Sequence, residues 1–101
     1  MNRRPIPKYP LPKVVAVDVD GTLHSRGQLN ERVVDYCKAK KLDGFFIMLW
    51  SLRGETHARG MADKLGVTDC FDLICSKPGI ILDDNGWQWA RFVPCVRDLN
   101  S

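Results

Sequence analysis

Asp18 and Asp20 stand one residue apart in the run Val14-Val15-Ala16-Val17-Asp18-Val19-Asp20, and Gly21-Thr22-Leu23 follows. A short apolar, β-branched run predicts a buried strand. Carboxylates at its carboxyl end are costly to leave without a partner or counter-charge, and ligands of open α/β sheets bind at that end. Further polar groups follow later apolar runs: Ser51 after Phe45-Phe46-Ile47-Met48-Leu49-Trp50, Lys77 after residues 71–75, and Asp83-Asp84 after Ile80-Ile81-Leu82. An acidic cluster, a hydroxyl and a cation at one sheet edge suit phosphoryl transfer. Carboxylates hold magnesium, which takes oxygen ligands and usually only one or two carboxylates besides phosphate and water. The metal and Lys77 would offset phosphate charge and stabilise its build-up in the transition state. Ser51 could donate a hydrogen bond to a phosphate oxygen.

The elements that must position these groups can be placed coarsely. Residues 14–19 form the first strand, and Ser25-Arg26-Gly27 signals a turn within a short excursion over 22–28. A helix fits 31–41, with Asn30 as N-cap, Val33, Val34, Cys37 and Tyr36 on its apolar face, and Lys38, Lys40 and Lys41 at the negative end of its dipole. Residues 45–50 read as a central strand. A second helix fits 55–65, where Ala58, Met61, Ala62 and Leu65 share one face and Gly66 closes the helix. Residues 71–75 and 80–82 read as a third and a fourth strand. Residues 87–101 give no clear period, and Pro94 breaks any helix there. The order β-α-β-α-β-β predicts a buried parallel sheet with helices on its faces, and right-handed crossovers would bring all four carboxyl ends to one edge.

Asp18-x-Asp20-Gly21-Thr22-Leu23, Ser51 after an apolar strand, Lys77-Pro78 and Leu82-Asp83-Asp84 resemble, in order, the four motifs of the haloacid dehalogenase-like (HAD) superfamily; together they span residues 14–86. The resemblance implies a three-layer Rossmann-like α/β fold and a magnesium-dependent phosphohydrolase acting on a phosphomonoester. Asp18 would be the nucleophile that forms an aspartyl-phosphate. Asp20 would be the general acid and then the base. Mg2+ would be held by Asp18, the backbone carbonyl of Asp20, and Asp83, with Asp84 assisting. Ser51 and Lys77 would position the phosphoryl group. Gly21 would let the chain leave the strand sharply, so that the Gly21 and Thr22 amides face phosphate. The chain has no room for a cap at either usual position, so it resembles the compact, capless branch, with an open site. His24, Arg26, Trp50 and Arg53 flank the motifs as candidate substrate contacts, whereas His57 reads as an exposed helix residue.

The 101 residues allow one domain, with residues 1–13 a Pro-rich basic N-terminal segment and 14–101 the catalytic unit. A net charge of +3 is too small to argue nucleic-acid binding, though it favours anionic substrates. The expected partner is a phosphorylated small metabolite or nucleotide, with room for a homo-oligomer. A polynucleotide 3′-phosphatase is the alternative: the basic arm, the open site and Trp87, Trp89, Arg91 and Phe92 permit it. A metal-binding interaction module with little turnover is a third reading. Cys37, Cys70, Cys75 and Cys95 lack CxxC spacing and read mostly as reduced core thiols. No apolar run approaches the roughly 20 residues of a membrane span, and no apolar stretch follows Met1-Asn2-Arg3-Arg4. Those features predict a cytoplasmic protein without a signal peptide.

Overall fold

The computed structural model describes residues 9–97 and residue 99. Residues 1–8 of the basic segment lie outside the described residues, as do 98, 100 and 101. The elements are β1 (Val14–Asp18), β2 (His24–Ser25), β3 (Gln28–Leu29), α1 (Glu31–Leu42), β4 (Phe46–Ser51), α2 (Glu55–Leu65) and β5 (Leu73–Ser76), with 3-10 turns at Thr68–Cys70 and Gln88–Phe92. β1, β4 and β5 form a parallel sheet in the order β1-β4-β5. β2 and β3 form a separate antiparallel hairpin that runs one residue past the expected excursion, to Leu29.

Both helices end as their sequences dictate. The Asn30 side chain accepts the Arg32 N–H and caps α1, whose buried residues are Val33, Val34 and Cys37. Gly66 closes α2 in the left-handed conformation, and Ala58 and Ala62 face inward. These residues join Val17, Ile47, Leu49 and Ile74 in one core cluster with Val19, Leu23 and Phe71. In a parallel sheet, residues in register share a face, so Val15, Val17, Ile47, Leu49, Ser51, Ile74 and Ser76 make up the helix-covered face. Two right-handed crossovers running in the same direction place α1 and α2 on that one side.

Two expectations are not met among the described residues. The first is the three-layer sandwich. The opposite sheet face carries Val14, Ala16, Phe46, Met48, Trp50, Leu73 and Cys75. Val14, Ala16, Phe46 and Leu73 on it are exposed, whereas α1 and α2 pack into the core on the other face. The structure is an α/β unit with a three-stranded sheet and helices on one face. The second is the strand over 80–82: Ile80 is 85% and Leu82 97% exposed, and neither lies in a strand. A parallel strand after β5 would have to start at the far end of the sheet, which takes a connection of about a dozen residues. Only Lys77, Pro78 and Gly79 separate Ser76 from Ile80.

Candidate active site

The carboxyl ends of β1, β4 and β5 bring together residues distant in sequence. Asp18, Trp50 and Lys77 all sit above the uncovered sheet face, since Trp50 is in register with Asp18 and with Cys75, two residues before Lys77. Lys77 Nζ lies 3.2 Å from Asp18 Oδ1 and 5.7 Å from the centre of the Trp50 ring. The Lys77 backbone N–H donates to the Ser51 carbonyl at 3.0 Å, which locks the β5 end against the β4 end. Asp18 and Lys77 are partly exposed, so this pair stands at an open edge rather than in a cleft.

Asp20 belongs to a second cluster. His24 Nε2 is 2.9 Å from Asp20 Oδ1, His57 Nε2 is 3.0 Å from Oδ2 and 3.3 Å from Oδ1, and Arg53 reaches Oδ2 at 3.5 Å. Burial pushes the Asp20 carboxyl up, but the hydrogen bonds from His24 and His57 and the charges of His57 and Arg53 outweigh it. The group is held below the ordinary carboxylate value of 3.8. His57 was expected to be an exposed surface residue. Its side chain is instead 18% exposed and faces Asp20. No helical spacing pairs it with Arg53, which precedes the Gly54 N-cap of α2; only the fold brings the two together at Asp20.

Other expected site residues are placed differently from their sequence reading. Ser51 is buried, and its Oγ accepts the Arg53 N–H at 3.0 Å, a turn-capping role at the end of β4. Gly21 does turn the chain sharply, at φ +84°. Its N–H, however, donates to the His24 carbonyl at 2.9 Å, and the Thr22 N–H points to the Val19 carbonyl at 3.3 Å. Both amides are consumed inside the turn and do not form the expected phosphate cradle. Arg26 is exposed in the hairpin turn. A shallow concavity of about 700 Å3 lies beside the hairpin, lined by Gly21, Thr22, His24, Gln28, Asn30 and Arg32 among others; Asp18 and Lys77 do not line it.

Asp83 and Asp84 are exposed in a turn, where Asp83 Oδ1 accepts the Asn85 N–H at 2.8 Å. Among the described residues, no strand stands directly before them to carry them to the sheet edge as expected. Asp18 and the Asp83-Asp84 pair offer hard oxygen donors of the kind magnesium takes. Among the described residues, however, no three His, Cys, Asp or Glu side chains are gathered to hold a metal ion. The cysteines are free. Cys37 is buried, Cys70 and Cys75 are half-buried, and Cys95 is exposed, which corrects its reading as a core thiol. Trp87 and Trp89 are exposed with ring centres 6.3 Å apart. Among the described residues no helix is long and apolar enough to cross a membrane. Compared with protein-family models, curated proteins and solved structures, the chain matches none of them.

Proposed function

We propose that the chain is a phosphohydrolase of the compact, capless HAD-like kind, cleaving a phosphomonoester by way of an aspartyl-phosphate on Asp18. The observation that supports this most is the Asp18–Lys77 pair, 3.2 Å apart at the carboxyl edge of a parallel sheet although the two are 59 positions apart in sequence. A carboxylate oxygen of Asp18 attacks phosphorus as the bond to the leaving oxygen breaks. Lys77 offsets the charge that builds on the phosphoryl oxygens. Asp20 gives a proton to the leaving oxygen and later takes one from the water that hydrolyses the aspartyl-phosphate. The ionised form that His24, His57 and Arg53 favour suits that second step and opposes the first, for which Asp20 must enter protonated.

Magnesium would be held by Asp18 and the backbone carbonyl of Asp20; Asp83 and Asp84, expected to add further oxygens, stand in an exposed turn that no strand brings to this edge. When bound, the ion supplies Lewis-acid charge at the phosphoryl group. The substrate we favour is a small phosphorylated metabolite or a nucleotide. A polynucleotide 3′-phosphatase is the second reading, favoured by the exposed Trp87 and Trp89 rings, on which bases could stack; a steep salt dependence of oligonucleotide affinity would distinguish it.

The test is turnover of an aryl phosphate with magnesium by the native chain and by Asp18→Asn. We expect turnover by the native chain and none by the variant, with both giving the same circular-dichroism spectrum. An Asp18→Asn protein as fast as the native one would overturn the nucleophile assignment.

A further inference from the structure

Asp20 is held on two sides by elements far apart in sequence, and one of them has no other evident task. β2 and β3 are two residues each, and a hairpin that short is marginal by itself. Here it is pinned. Leu23 is fully buried beneath it, the Asn30 N–H donates to the Leu23 carbonyl at 2.8 Å, and the Gly21 N–H donates to the His24 carbonyl at 2.9 Å. The two central turn residues, Arg26 and Gly27, both have positive φ, at 53° and 79°. That pairing is the one whose twist matches the flanking strands. Left-handed backbone at a non-glycine residue is uncommon and needs support from its surroundings.

The turn also determines the state of one imidazole. The Gly27 N–H donates to His24 Nδ1 at 3.0 Å, so Nδ1 must be an acceptor and the ring proton must sit on Nε2. That Nε2–H then donates to Asp20 Oδ1 at 2.9 Å. The His24 side chain is 10% exposed, and both of its nitrogens are engaged. No ring nitrogen remains for a substrate, which removes His24 from the candidate substrate contacts.

We propose that the β2–β3 hairpin is a positioning device for Asp20: its turn fixes the proton of His24 on Nε2, and that N–H holds Asp20 Oδ1 while His57 from α2 holds Oδ2. His24 is a positioning residue. It acts through Asp20 and touches no reacting atom. The carboxylate is clamped from the hairpin on one side and from α2 on the other, so rotation about its Cβ–Cγ bond is arrested. Its catalytic consequence rests on the phosphohydrolase reading, but the hydrogen-bond chain itself does not.

The clamp governs a group that works on the leaving oxygen in the transition state, so its loss should fall on kcat and leave KM nearly unchanged. For His24→Leu we expect kcat to drop about 100-fold, the scale of a misplaced catalytic group, with KM within about twofold. His24→Gln keeps a donor within reach of Oδ1 and should recover about tenfold of that loss. A His24→Leu protein that is folded and retains its kcat overturns the proposal, as does a Gln variant no better than a folded Leu variant. Nitrogen-15 NMR of the native imidazoles gives a readout that needs no turnover and no variant. A protonated Nε2 with a bare Nδ1 on His24 supports the chain of bonds; a proton on Nδ1, or on both nitrogens, overturns it. Should the native protein hydrolyse no phosphomonoester, the phosphohydrolase reading fails, and the NMR result still decides whether the hairpin holds Asp20.

Discussion

At the residue scale, Asp18 and Asp20 are separated by one position in sequence and by their partners in space. Asp18 faces Lys77 over the uncovered sheet face, and Asp20 faces two histidines and an arginine near the start of α2. The sequence predicted that the pair would need counter-charge. It identified Lys77 and flagged Arg53 and His24, but it missed His57, because a histidine on a helix is usually a surface residue and the helix phase alone does not say which neighbour it meets. A second residue-scale prediction concerns Cys37. Burial pushes this thiol up from its ordinary 9.0 to about 11. The folded chain therefore favours the neutral thiol. That contribution to stability is complete below about pH 9 and is lost as pH rises through 11. The urea midpoint should fall between these pH values and fall less in Cys37→Ala. In the native state a thiol reagent should label exposed Cys95 first. Equal labelling rates for Cys37 and Cys95 would contradict the buried placement.

At the element scale, α1 was legible almost to the residue because its signals are local. Asn30 supplies the cap, and Val33, Val34 and Cys37 supply the buried stripe. Asn30→Ala should destabilise the domain by about 1 kcal/mol, measurable by urea denaturation. The same side chain also donates to the Thr22 carbonyl at 3.3 Å, so the variant should loosen the approach to the hairpin as well. The segment 80–82 shows where local reading misleads. Ile80-Ile81-Leu82 has the composition of a strand, but three residues after β5 cannot return the chain to the start of a parallel sheet. Ile80→Ser and Leu82→Ser should each change stability by less than about 0.5 kcal/mol, as exposed positions do. A loss of about 2 kcal/mol or more in either variant would restore the buried strand.

At the scale of the whole molecule, one helix-covered face and one face with no helix on it among the described residues leave the Asp18–Lys77 pair at an open edge. No cap or lid stands over it among the described residues, so water exclusion falls to whatever binds there. If Asp18 carries magnesium, the ion should stabilise the folded chain by mass action, about 2.7 kcal/mol at a hundredfold excess over its Kd. Thermal unfolding with magnesium and with chelator should show that shift, and Asp18→Asn should abolish it. An unshifted native Tm at millimolar magnesium would count against a resident metal. The sequence by itself determined the α/β class, the order of β1, α1, β4, α2 and β5, and the caps of both helices. It also placed polar groups after three of the apolar runs. All of these follow from local period and local chemistry. The tertiary structure decided the rest: the three-stranded count, the sheet face without a helix among the described residues, the burial of Ser51, the consumption of the Gly21 and Thr22 amides in their own turn, and the meeting of His24, Arg53 and His57 on Asp20. Those outcomes depend on crossover length and on which backbone donors the turns have already used, and neither is written in the residue types alone.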